Sequence, residues 1–196
     1  MKSFFISSPF KVVLIVITLS GAASCTDTNK PEDTKDVAEE HNEAKFDNAN
    51  KENDSQFLAD AAEISLEEIQ LGQLAQQKSS MSDVKELGIM MEKEHNKSLK
   101  ELTALAAKKI ITIPSSPTND AINAYNKLNK KGGNDFDLEY CEMMVEGHKN
   151  AIALFEKASK ESLDSDIREW ASGTLPNLRV HLDHAITCQK KCEKMN

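Results

Sequence analysis

Phe57-Leu-Ala-Asp-Ala-Ala-Glu-Ile-Ser-Leu-Glu-Glu-Ile-Gln-Leu-Gly-Gln-Leu-Ala75 decides the fold. Phe57, Ala61, Ile64, Glu68, Leu71 and Ala75 recur at alternating steps of four and three. That spacing lays them along one stripe of an α-helix and makes the stripe the buried seam of a helix packed among others. Glu68 alone breaks the apolar character of the seam.

Outward from this helix the pattern repeats. Ser79-Ser80-Met81-Ser82-Asp83 is a polar break, with Ser82 placed to cap the next helix. Val84, Leu87, Met91, His95, Leu102 and Leu105 then mark a second seam that runs out near Lys109, before Ile113-Pro114-Ser115-Ser116-Pro117 stops it. Ala121 to Lys130 reads as a short helix ended by Gly132-Gly133, in a long connection between two helical hairpins. Leu138, Cys141, Val145, His148, Ile152 and Phe155 form a third seam. After a break at Ser162 to Asp166, the fourth is marked by Ile167, Trp170, Thr174, Leu178, His181, Ala185 and Cys188. Pro176 falls inside this last helix and should bend it locally. Few aromatics, few glycines and no β-branched runs of strand length agree with an all-α fold. The expected architecture over residues 55–196 is an antiparallel up-down four-helix bundle.

Upstream the composition changes twice. Lys2 and Lys11 accompany Val12-Val13-Leu14-Ile15-Val16-Ile17-Thr18-Leu19, an apolar run too short to span a bilayer, which is the shape of a secretory signal over residues 1–24. Ser20-Gly21-Ala22-Ala23-Ser24-Cys25 follows and resembles the bacterial lipobox, with Ala22 where leucine is usual. On that reading Cys25 is lipidated and tethers the protein to a membrane of the bacterial envelope. Thr26, at the position after it, favours the outer membrane. The alternative is ordinary cleavage, leaving Cys25 a free or disulfide-bonded thiol. Residues 25–54 hold ten acidic and four basic side chains and, Phe46 apart, no large apolar one, so an acidic disordered tether is expected. The remaining module is mildly acidic and lacks a basic patch, which argues against nucleic acid and broad binding to anionic lipid.

Each seam contains one residue that is costly to bury unpartnered and able to bind a metal: Glu68, His95, His148 and His181. Facing residues of an antiparallel hairpin are level when equidistant from its turn. Glu68 and His95 centre on the first turn, and His148 and His181 on the second. At about 1.5 Å per residue the pairs lie roughly 20 and 25 Å from their turns, so all four meet if the turns share one end. Imidazoles with one carboxylate suit zinc, iron, copper or nickel. Glu92 and His184 are further candidate ligands, with surface placement the simpler reading of both. Glu92-Lys93-Glu94-His95 gives one Glu-x-x-His pair. The second copy that a di-iron carboxylate bundle needs is missing, because Val145 and Leu178 stand where its glutamates would be. Cys141 and Cys188 centre on the same turn as their histidines, and a disulfide between them suits an oxidising compartment, with Cys192 left over or substituting as partner. A thiolate contribution to a copper or zinc site is the other reading.

Phe57-Leu-Ala-Asp-Ala-Ala, Glu68-Ile-Gln-Leu-Gly-Gln-Leu-Ala75, Met91-Glu-Lys-Glu-His95, Val145-Glu-Gly-His148 and Leu175-Pro-Asn-Leu-Arg-Val-His181 together resemble the bacterial envelope family called domain of unknown function 4142. The resemblance runs from about Ser55 to Lys190 and matches the family's glutamate and three histidines at Glu68, His95, His148 and His181. It implies a ferritin-like bundle, periplasmic or lipid-anchored, often linked with stress responses and without an established activity.

Two function classes follow. One is a metal-binding or metal-buffering envelope protein built on the Glu68, His95, His148 and His181 cluster. The other is a structural or partner-binding lipoprotein, its protein partner unnamed by the sequence, in which the same cluster is a metal-free hydrogen-bond network. Neither a nucleophile-plus-base motif nor a phosphate loop or cofactor fingerprint is present, so the sequence leans away from an enzyme. Catalysis would need a metal with an open position.

Overall fold

Helix starts follow the short polar side chains. In the computed structural model, which describes residues 32–195, the helices are α1 (Thr34–Glu43), α2 (Ala49–Lys78), α3 (Ser82–Lys109), α4 (Asn119–Asn129), α5 (Gly133–Glu161) and α6 (Ser165–Glu193). Among the described residues there is no strand. Asp33, Asn48, Thr118 and Asp164 each accept backbone N–H bonds at the first turn of α1, α2, α4 and α6. The start of α3 differs from expectation. Met81 takes the capping position without a side-chain bond, Ser82 is already helical, and the Ser79 hydroxyl accepts the Met81 N–H instead. Helix α3 ends at Lys109, where Ile110 is left-handed at φ 61°, an unusual conformation for a β-branched residue. Its N–H bonds to the Ala106 and Ala107 carbonyls, which holds it there.

From residue 34 onward the tether expected over 25–54 is corrected to two helices, α1 and the start of α2. Polar anchoring replaces the apolar surface that this segment lacks. Asn42 donates to the Thr112 carbonyl and accepts the Thr112 N–H, both at 2.8 Å. Lys35 bridges Asp60 and Glu63 on α2 at 2.7 and 2.5 Å. Asp33 accepts the Asn119 N–H, which ties α1 to the start of α4. Only Ala38 adds apolar burial from α1. The signal segment and Cys25 lie outside the described residues.

Helices α2 and α3 form one antiparallel hairpin and α5 and α6 another, and α2 also packs on α5 and α3 on α6. The two turns lie at opposite ends, contrary to the expectation of a shared end. Lys109, at the end of α3, pairs with Asp164 and Asp166 at the α5–α6 turn. Lys191, near the end of α6, pairs with Asp83 beside the α2–α3 turn. The connection holding α4, which packs on α2 and α5, therefore returns the chain to the other end. The long helices run up, down, down, up, and every packed pair among them is antiparallel.

The crossing of α2 and α3 is close. A Cβ on Gly88 would sit 2.6 Å from the Gly72 carbonyl oxygen, and one on Gly72 2.7 Å from the Gly88 oxygen, so backbone meets backbone there. The core divides into two apolar clusters. One, toward the α2–α3 turn, holds Leu71, Val84, Leu87, Met91, Phe136, Tyr140 and Met144. The other, toward the α5–α6 turn, holds Phe57, Leu58, Leu102, Phe155, Ile167 and Leu178. Glu68, His95, His148 and His181 form the polar layer between them.

Candidate metal centre

The layer assembles although the turns are not shared. Helices of 28 to 30 residues are about 42–45 Å long. Residues about 20 Å from one end and about 25 Å from the other therefore meet near the middle. His95 comes from α3, His148 from α5 and His181 from α6, all at least 95 % buried. Their candidate donor nitrogens lie within 4.8 Å of one another. Ring centroids are 5.7 Å apart for His95 and His148, 5.7 Å for His95 and His181, and 5.3 Å for His148 and His181, a nearly equilateral triangle.

Hydrogen bonding fixes the chemistry of these rings. His148 Nδ1 lies 2.9 Å from the Met144 carbonyl oxygen, which can only accept, so the proton is on Nδ1 and Nε2 carries the lone pair. That Nε2 faces His181 Nδ1 at 3.3 Å. Neither nitrogen of His95 has a partner. Burial, and then the neighbouring imidazoles, hold His95 well below the usual histidine range. Burial and His181 bring His148 down to about 4, against a smaller upward pull from the Met144 carbonyl. Burial lowers His181 too, with Glu94 opposing. At neutral pH the centre is three uncharged imidazoles.

Glu68 is placed differently from the expectation of a fourth ligand. Its Oε1 lies 3.3 Å from His148 Nδ1, the nitrogen already bonded to Met144, and it is outside the set of converging donors. Burial, with a contribution from Glu67, raises its carboxyl well above the usual range. With His148 uncharged, this contact is not an ion pair. Glu68 stands behind His148 as an orienting carboxyl. Gly147 makes room for it, since a Cβ there would lie 3.2 Å from Glu68 Oε1. A surface cleft between α2 and α5, lined by Ile64, Glu67, Glu68, Met143, Gly147 and Asn150, reaches Glu68.

The other candidates do not join. Glu92 accepts from Gln73 and Gln76 at 2.8 and 2.7 Å, which clamps α2 to α3, so the Glu92-x-x-His95 pair does not converge. His184 is exposed on α6. The disulfide expected between Cys141 and Cys188 is not drawn in the structure, where these two and Cys192 are free, buried thiols with their sulfurs within 4.8 Å of one another. Sequence reasoning missed the Met144 carbonyl, for which residue types carry no signal. It also missed Tyr140, whose buried hydroxyl has no partner. Burial first, and then Glu68, Cys141 and Cys188 nearby, push that phenol well up.

The residues present fit a metal. Two donors about 2.0–2.1 Å from a tetrahedral ion lie about 3.3–3.4 Å apart, the separation of His148 Nε2 and His181 Nδ1. His95, with both nitrogens buried and unpartnered, is the group such an ion would satisfy.

No curated protein and no solved structure matches the chain. A family model described as Domain of unknown function (DUF4142) matches residues 39–187. That stretch covers most of the chain and includes Glu68 and all three histidines of the layer, and the chain belongs to this family.

Proposed function

We propose that this is a lipoprotein of the bacterial envelope, anchored through Cys25 and facing the periplasm or the outer membrane. Its α2, α3, α5 and α6 form a ferritin-like antiparallel four-helix bundle that holds one transition-metal ion, zinc, iron or copper, on His95, His148 and His181. The bundle reading rests on four long helices of near-equal length, each antiparallel to two neighbours, with a long connection between hairpins. Among the described residues no helix is long and apolar enough to cross a membrane, so the proposed attachment rests on the lipid at Cys25.

The observation that carries the metal reading is His95. A buried imidazole with neither nitrogen bonded costs roughly 1–3 kcal/mol per unmet group, and this one faces two others whose positions suit a shared ion. A bound ion would supply Lewis acidity or one-electron chemistry according to its identity. The chain itself supplies three neutral nitrogens, a carboxyl and a carbonyl that orient His148, and apolar walls above and below. A metal-free network has one observation in its favour, since His181 Nδ1 can donate to His148 Nε2 at 3.3 Å. It leaves His95 unexplained.

Elemental analysis of the full-length chain, purified in detergent from its own envelope without chelator, tests this beside a His95→Gln, His181→Gln variant of unchanged helicity. Wild type is expected to carry about one equivalent more of a transition metal than the histidine variant. Equal metal content in the two proteins, or none in either, would leave the hydrogen-bond network as the function of the layer.

A further inference from the structure

A second cluster lies about 10 Å along the bundle from the histidines, one heptad away on both α5 and α6. Cys141 comes from α5, and Cys188 and Cys192 stand one turn apart on α6. Their sulfurs all lie within 4.8 Å of one another. Cys141 Sγ is 3.9 Å from Cys192 Sγ, and Cys192 Sγ is 3.8 Å from Met81 Sδ. All three thiols are free and at least 97 % buried. Met81, at the α2–α3 turn, is partly exposed and lies over them. Val84, Leu87 and Phe136 belong to the same apolar cluster, the buried Asp137 is near enough to act on Cys192, and no carboxylate or imidazole belongs to the converging set.

We propose that Cys141, Cys188, Cys192 and Met81 form a sulfur-only site for a single cuprous ion, separate from the histidine layer and independent of whether that layer holds a metal.

Three features select this ion. Sulfurs about 2.3 Å from one metal lie about 3.8–4.0 Å apart, which is the spacing of Cys141 and of Met81 from Cys192, with Cys188 within 4.8 Å of both other thiols. A disulfide would instead need two of them at about 2.05 Å. Soft thiolate and thioether donors together favour a soft, monovalent ion, and a thioether is not among the usual ligands of zinc. The three thiols are buried, and a cuprous ion takes three or four sulfurs without a bound water. Each thiol that ligates releases its proton to solvent. The site also stands where an ion can arrive, at the end of the bundle beneath a side chain on a turn. Cys188 and Cys192 fall beyond the stretch matched by the family model, so the site is not read from the family.

The test is anaerobic titration of the reduced full-length chain in detergent with cuprous ion, in competition with a chromophoric cuprous chelator. The same measurement is made on Cys188→Ser/Cys192→Ser, Met81→Leu and His95→Gln/His181→Gln. The expected result is one tightly held ion with ultraviolet sulfur-to-copper absorption, unchanged in the histidine variant. Loss of both α6 thiols should weaken it by more than about a hundredfold, and loss of the thioether by about tenfold. Met81→Leu keeps the size and apolar character of the side chain, so its effect is read apart from any folding defect. The proposal is overturned if the chelator strips copper equally from wild type and cysteine variant, or if copper leaves with the histidines. A Cys141 disulfide in protein taken from its native compartment would overturn it too.

Discussion

The two apolar clusters on either side of the histidine layer are built from different atoms. Toward the α5–α6 turn, Phe57, Phe155 and Trp170 pack edge to face and tilted, with centroids 5.1 to 5.8 Å apart. Among the described residues that cluster contains no sulfur. Toward the α2–α3 turn the cluster holds all three thiols, Met91 and Met144, with Met81, Met90 and Met143 against it. It also buries a phenol that has no partner. Aromatic packing is directional and large in area, whereas sulfur is soft, adaptable and able to ligate. One end of the molecule is arranged to hold the helices together, and the other keeps chemistry inside them.

The largest effect should come from breaking the aromatic end. Phe155→Ala removes the ring that touches both Phe57 and Trp170, and is expected to cost about 3–5 kcal/mol in urea unfolding. Met144→Leu, at the sulfur end, is expected to cost less than about 1.5 kcal/mol, as a near volume-conserving change. Equal losses would show that the two ends carry stability alike.

A second contrast sets the polar layer against both clusters. His148, at about 4 when folded, takes up its proton at about 6.5 when unfolded. Between those values the unfolded chain binds a proton that the folded chain refuses. Its contribution to stability is therefore lost as pH falls through that window and levels off below about 4. His95 and His181 act in the same direction. Glu68, raised in the fold, acts in the opposite direction, since its contribution is lost as pH rises above the ordinary carboxylate range. Three imidazoles oppose one carboxyl, so metal-free protein should weaken on acidification from pH 7 to 5. Replacing His148 with Gln should flatten that slope by on the order of 2 kcal/mol, read from urea midpoints with chelator present. Parallel slopes in the two proteins would mean that the imidazole is not buried in its neutral form.

What could be read in advance was whatever repeats locally. The seams through Phe57, Leu71, Leu102, Val145 and Leu178 follow from helical periodicity, and the histidines stood out because each interrupts such a seam. Heights along the helices were readable relative to each hairpin's own turn. Which end each turn occupies was not, because it depends on how a connection of 23 residues, from Ile110 to Gly132, crosses the molecule. The layer formed regardless, because both heights fall near mid-helix. Glu68 was found as a buried acid, but the side of His148 on which it stands was not readable, since only the Met144 carbonyl and the space at Gly147 determine which nitrogen it faces. The cysteines were paired from their heights alone. Their meeting with Met81 depends on α6 ending beside the other hairpin's turn.

The smallest effect expected concerns the segment that composition misjudged. Helix α1 buries almost no apolar surface, and its docking rests on reciprocal hydrogen bonds between Asn42 and Thr112 and on the Lys35 bridge to α2. Such contacts compete with water and are worth about 1 kcal/mol each. Asn42→Ala should therefore release α1 with little change in global unfolding. Amide hydrogen exchange should show lost protection confined to about residues 34–44 and 110–113. If protection there were unchanged, Lys35 and the Asp33 contact to Asn119 would be holding α1 by themselves. If the whole molecule were loosened, α1 would be part of the same cooperative unit as the aromatic end, and the division between packed core and polar attachment would fail at this point.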